Sequence, residues 1–148
     1  MSLSPSAKCD ALIMGFEGFR ATAYLDGGGV PTIGYGTTGK DVHLGMVWTE
    51  LQARQRFAQD LVRFSTAVNN LIGTHPTNQN QYDALVSFAY NVGAHALAGS
   101  TLLMLHNSGR YDAAAAQFAH WDHINGVVSK GLLNRRNAEA ALYLEPVA

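Results

Sequence analysis

Apolar residues recur along this chain at two different spacings, and the change of spacing divides it into parts. Leu12, Ile13, Phe16 and Phe19 fall three and four residues apart, which predicts a first helix with these side chains on one buried face. Pro5 and Ser6 supply its start signals near residues 4–6, and Gly18 ends it just after Glu17. From Ala21 to about Thr38 the helical spacing lapses. Gly, Thr and Tyr dominate there, and "TAYL" and "PTIGYG" read as two short strands joined by the turn "DGGG". Thr49 and Gln52 form a capping-box pair, after which Phe57, Leu61, Phe64, Val68 and Leu71 mark one long helix to about Ile72. Asn78 and Gln81 repeat that signature ahead of Ala84, Leu85, Phe88, Ala89 and Val92, and Gly93 stops the helix they begin. Shorter helices are predicted near Ser100–Leu105, Tyr111–Trp121 and Leu133–Leu144, with Asn125-Gly126 in a turn or small hairpin before the last.

These elements predict an α+β fold with segregated parts. A small β-containing lobe, about residues 18–55, follows helix 1; a larger helical lobe makes up the rest, joined to it by the long helix, with a cleft expected between them. A length of 148 residues suits one domain spanning 1–148. With 47% hydrophobic and 14% charged residues, the chain is neither disordered nor fibrous in composition. A net charge of −1 argues against a protein that grips nucleic acid by charge, although Arg54, Arg56 and Arg63, and then Lys130, Arg135 and Arg136, form local basic groups. No apolar run reaches the roughly 20 residues needed to cross a bilayer, and the N-terminus lacks the pattern of a signal peptide. The expectation is a soluble protein made in a cytoplasm, without stable membrane insertion. The single cysteine, Cys9, reads as an inert helix residue.

The candidate chemistry lies in "GFEGFRATAYLDGGGVPTIGYG", residues 15–36. Glu17 sits at a helix end between two phenylalanines, and Asp26 follows nine residues later at a glycine turn. Two carboxylates in unlike surroundings are what glycoside hydrolysis requires. Burial beside Phe16 and Phe19 is expected to raise the Glu17 pKa and keep it protonated as a general acid. Asp26, beside glycine amides and solvent, is expected to stay ionised, and Thr32 offers a hydroxyl that can hold a water. Taken one at a time, a Glu at a helix end is more often simply solvated, and an Asp before Gly is more often a turn former.

The same residues carry a resemblance. E-G-x-R, A-Y-x-D and G-x-x-T-I-G-Y-G are all present, on Glu17, Gly18, Arg20, Ala23, Tyr24, Asp26, Gly29, Thr32, Ile33, Gly34 and Gly36. "DVHLGMVWTELQA", "NQNQYDALVSFAYNVG", "GSTLLMLHNSGRYDAAAAQFAHW" and "GLLNRRNAEAALYL" follow in order, so nearly the whole chain resembles the phage-type lysozymes, the endolysins of glycoside hydrolase family 24. The resemblance implies a lysozyme-like fold and a muramidase that cleaves the β-1,4 bond between N-acetylmuramic acid and N-acetylglucosamine in peptidoglycan. It implies Glu17 as the acid that protonates the leaving oxygen, Asp26 as the base or stabilising carboxylate, and Thr32 as the residue that positions water in an inverting displacement. Tyr90, Asn91 and Thr101 match positions expected to contact glycan, and Arg135 matches an arginine expected to face the catalytic acid. Such a cation would lower the Glu17 pKa, opposing burial, so the net shift carries no sign from sequence. No metal or cofactor is implied. A monomer is expected, acting on the periplasmic cell wall after release from the host cytoplasm with a holin-like partner. Unlike many relatives the chain is near neutral, so long-range attraction to an anionic wall should be weak.

Three other readings compete. His120 and His123, three residues apart, are expected on one helix and could hold a metal, as in an amidase, but no HExxH occurs and such pairs are mostly surface residues. A lytic transglycosylase would use one Glu and form an anhydro product, leaving Asp26 and Thr32 without a role. A wall-binding module that has lost activity would not need the intact set of Glu17, Asp26 and Thr32.

Overall fold

The structure is a computed structural model that describes residues 2–147. Its elements run α1 (Ala7–Glu17), β1 (Arg20–Leu25), β2 (Pro31–Gly34), α2 (Glu50–Ile72), α3 (Gln79–Val92), α4 (Ala94–Ala98), α5 (Thr101–Asn107) and α6 (Tyr111–Gln117). A 3-10 turn (Phe118–His120), β3 (His123–Ile124), β4 (Val127–Val128) and α7 (Lys130–Leu144) complete the described chain. It falls into two compact units: Ile13–Arg63, and a larger one made of the described residues on either side of that segment.

In the smaller unit β1 and β2 pair antiparallel, with Tyr24 opposite Thr32 and Leu25 opposite Pro31. The other edge of β1 is also used: Ala23 N–H donates to the Met46 carbonyl at 3.0 Å, and Trp48 N–H to that of Ala21 at 2.8 Å. Ala23, Ile33 and Val42 form a core under the strands, closed by Met46 and Trp48. Phe19, Tyr35 and Phe57 continue it as a chain of rings with centroids 5.7 and 6.1 Å apart. The predicted cap of α2 is present. Thr49 N–H donates to Gln52 Oε1 at 2.8 Å and Gln52 N–H to Thr49 Oγ1 at 3.2 Å, satisfying two donors that the helix start would otherwise leave open.

Helix α1 departs from the sequence expectation. Its fully buried positions are Cys9 and Ile13, one turn apart, whereas Phe16 and Phe19 are 41% and 38% exposed. The buried stripe therefore runs Cys9–Ile13–Glu17, and Phe16 lies about one residue's rotation, ~100°, away from it. Glu17 is half-buried on that stripe. Gly18, at φ +68°, ends the helix as predicted.

In the larger unit α3 is buried along its whole middle, Asn80 to Ala89, and carries the capping box of Asn78 and Gln81. Phe88 packs edge-on against Phe118 and Trp121, and Phe118 against Tyr143 of α7. Buried His106 lies 2.7 Å from Thr77 Oγ1 through Nε2 and hydrogen-bonds Tyr143 through Nδ1. The Asn125-Gly126 pair forms the expected tight hairpin: φ is +51° and +78° at the two positions, and Ile124 faces Val127 across it. Consequently His120 ends the 3-10 turn and His123 lies in β3, so the two do not share a helix face as expected. Helix α4 has no counterpart in the sequence pattern; it begins directly after the Gly93 that ends α3. Among the described residues no helix is long and apolar enough to cross a membrane.

Candidate active site

Glu17, Asp26 and Thr32 all belong to the smaller unit. Asp26 follows β1 and builds its own turn. Its Oδ1 accepts the N–H of Gly28 and of Val30, each at 2.8 Å, while its backbone N–H donates to the Val30 carbonyl at 3.0 Å. Gly29 closes the turn at φ +77°, a conformation that costs glycine little and other residues more. Two amides thus hold one carboxylate oxygen, and the Asp26 residue as a whole remains exposed. Glycine-rich sequence is used here to let backbone amides converge on an acid.

Thr32, only 4% exposed, sits on β2 opposite Tyr24. Its hydroxyl donates to the Val30 carbonyl at 2.9 Å. With its proton committed, Oγ1 has lone pairs available as acceptors. Asp26 and Thr32 are thereby tied to the same residue, Val30: Asp26 to both its amide and its carbonyl, Thr32 to its carbonyl.

Glu17 meets the turn that follows β2. Gly36 has φ +78°, and a Cβ built on it would lie 2.8 Å from Glu17 Cδ. Beside it, Thr37 and Ile33 exchange two backbone hydrogen bonds, of 2.8 and 3.0 Å, and Thr37 Oγ1 lies 3.4 Å from Asp60 Oδ2 on α2. The "GYG" of the sequence motif is therefore a close passage of main chain past a carboxylate. On β1, the Arg20 guanidinium carbon lies 4.1 Å from the Tyr24 ring centroid.

The remaining sequence-predicted residues lie in the larger unit. Tyr90 is half-buried, its ring 5.2 Å from that of Phe64. Asn91 is exposed and accepts a hydrogen bond from Arg136 Nη2 at 2.7 Å. Thr101 is exposed at the first position of α5, which Ser100 caps. Arg135 is buried, donating to the Ser87 carbonyl at 3.2 Å and lying 3.4 Å from Glu139 Oε2. Arg135 and Arg136 are thus both buried, so neither belongs to a surface basic group. In sequence Arg136 stands out only as part of a basic group, and Glu139 not at all. Their signal was the spacing: an Arg-Arg pair with Glu three and four residues on places three charges on one side of α7.

Comparison with known proteins gives these observations a lineage. The model of the phage lysozyme family matches residues 14–139. An endolysin of Bacillus phage B103 is 44% identical over 138 residues, covering 90% of this chain and 51% of its own length. The chain thus spans about half the length of the Bacillus phage endolysins it matches. Among solved structures, an endolysin from the Escherichia coli O157:H7 phage FAHEc1 superposes with a TM-score of 0.88 at 42% identity, covering 98% of this chain and 96% of that one. The muramidase domain of SpmX from Asticaccaulis excentricus gives 0.87 at 39% identity, covering 95% and 97%. With a family match over most of its length and a lysozyme-like α+β fold, this chain belongs to the phage lysozyme family.

Proposed function

We propose that the protein is a muramidase that hydrolyses the β-1,4 bond between N-acetylmuramic acid and N-acetylglucosamine in bacterial peptidoglycan. The observation that carries this reading is the Asp26 turn, in which a carboxylate held by two amides shares Val30 with the hydroxyl of Thr32. In this mechanism Glu17 protonates the departing glycosidic oxygen. A water donates one hydrogen bond to Thr32 Oγ1 and another to Asp26. With both protons engaged its lone pair is free to attack the anomeric carbon, and Asp26 removes the proton as the new C–O bond forms. The attack comes from the face opposite Glu17 and inverts the centre in one displacement.

Tyr90, Asn91 and Thr101 are proposed to contact the glycan, and Arg135 to support the acid. The protein acts as a monomer on the cell wall, reached from the host cytoplasm with a holin-like partner. No cofactor takes part in the proposed chemistry.

Turbidity of chloroform-permeabilised Gram-negative cells, followed by mass spectrometry of the released muropeptides, tests this reading. Clearing with reducing muramic acid ends is expected. Ends carrying the 1,6-anhydro mass would identify a transglycosylase, and free stem peptides an amidase.

A further inference from the structure

Asn91 stands at the exposed end of α3, but only half of its amide is open to choice. Arg136 Nη2 donates to Asn91 Oδ1 at 2.7 Å. A guanidinium has donors and no acceptor, so the oxygen of Asn91 must face it and the NH2 group must face away. Among the described residues the Asn91 side chain makes no second hydrogen bond. An ordinary surface asparagine can turn either end toward a ligand. This one presents donors alone.

The anchor is itself immobilised. Arg136 has no exposed surface, and its Nε lies 2.8 Å from Glu139 Oε1. Its guanidinium carbon lies 5.0 Å from the centre of the Phe88 ring. Glu139 is equally buried, and its other oxygen accepts the Ser87 hydroxyl at 2.6 Å, with Arg135 Nε 3.4 Å away. Three charges are thus enclosed between α3 and α7. Burying ions is costly, and well-packed apolar residues often stabilise a core as well or better. The visible outcome of the arrangement is that one buried arginine reaches out to one exposed amide.

We infer that Arg136, seated by Glu139, is a positioning residue that fixes Asn91 as a hydrogen-bond donor toward the acetamido carbonyl of a bound amino sugar. This rests on the muramidase reading and deepens it. An N-acetyl carbonyl is only an acceptor, which complements a fixed donor. The ammonium of a deacetylated sugar is only a donor, and it would meet the Asn91 NH2 group unfavourably. The locked amide therefore selects N-acetylated glycan over deacetylated glycan.

Two variants test the inference on soluble N-acetylated glycan strands, with tri-N-acetylchitotriose as the binding probe. Asn91→Asp keeps an oxygen for Arg136 but removes the outward donor. KM, and the Kd for the triose, should rise roughly tenfold, about what one ordinary hydrogen bond contributes, with the loss falling in KM rather than kcat. Discrimination against partly deacetylated strands should shrink alongside. Arg136→Met with Glu139→Leu removes the lock while leaving no buried charge of that pair alone. In this background Asn91→Asp should cost less than in the wild type. Should the double variant fail to fold, the kinetics of Asn91→Asp on both glycans decide. Wild-type KM and unchanged discrimination in Asn91→Asp, or full additivity in the cycle, would overturn the inference while leaving the muramidase reading intact. A wild-type protein that cleaves no glycan would overturn both.

Discussion

The main chain of Gly36 lies against the carboxylate of Glu17, so closely that a Cβ on Gly36 would come 2.8 Å from Glu17 Cδ. This glycine is needed twice, for its φ of +78° and for the missing side chain. Gly36→Ala should lose about 1–2 kcal/mol to backbone strain and, beyond that, displace the acid. Gly45 makes the control, since its φ is +96° and nothing lies within 4 Å of a Cβ there. Thermal melts should show a comparable loss in both variants. Turbidity clearance should fall at least about tenfold further in Gly36→Ala, in keeping with the sensitivity of catalysis to misplaced groups. Equal clearance by the two would mean that Glu17 does not need its observed place.

What could be read from sequence depended on how local the cause was. The caps at Thr49 and Asn78 and the Asn125-Gly126 turn are set by side chains within three or four residues, and the structure has them where the sequence predicts. On α1 the expected Ile13 is buried, but Phe16 and Phe19, which look like core residues, are not, and Cys9 takes the inner position one turn before Ile13. Helix α3 hides its face for the opposite reason. It is buried on all sides, with Asn80, Gln81, Asp83 and Ser87 enclosed beside Leu85 and Phe88, so no polar stripe marks an outside. Arg136 and Glu139 look like surface residues in sequence and become core residues only through partners on α3, about 45 to 52 positions away. For the candidate site, motif spacing supplied Glu17, Asp26 and Thr32. It did not supply Val30, whose backbone links two of them.

Replacement of Glu17 by Gln keeps the size of the side chain and removes the proton it would give. Muramidase activity on isolated sacculi should fall by roughly 10²–10⁴-fold, with the melting temperature little changed. Lysis at a near wild-type rate would remove Glu17 from the mechanism.

Asp26 combines two tasks that substitution can separate. Asp26→Asn retains an oxygen to accept from Gly28 and Val30, so the turn should persist while the charge is lost. Asp26→Ala loses both. The two variants should be about equally inactive, yet only the alanine form should show faster hydrogen exchange at the Gly28 and Val30 amides. In the wild type, proton NMR of a freshly cut oligosaccharide should show the α-anomer first. An initial β-anomer, or a trapped glycosyl adduct on Asp26, would make Asp26 a nucleophile.

Acid should weaken the larger unit through His106. Burial, with a smaller contribution from His75, holds this imidazole near pKa 4 against an ordinary 6.5. Its folded-state pKa lies below the unfolded one, so between these values the unfolded chain binds the extra proton and stability rises with pH. Denaturant unfolding should therefore show stability falling from about pH 6.5 toward about pH 4, by up to ~1.4 kcal/mol per pH unit. His106→Gln should flatten that slope. An unchanged slope would assign the acid sensitivity to other groups.

The burial of Cys9 gives the protein an internal reporter. The chain's only thiol has no exposed surface, and burial, reinforced by the charge of Asp83, pushes its pKa well above the ordinary value. A folded molecule therefore offers alkylating or disulfide reagents neither access nor thiolate. Each opening of α1 restores both. The rate at which a thiol reagent consumes this protein then measures how often its first helix lets go, without a label or an introduced residue, and the same clock can be read with and without glycan.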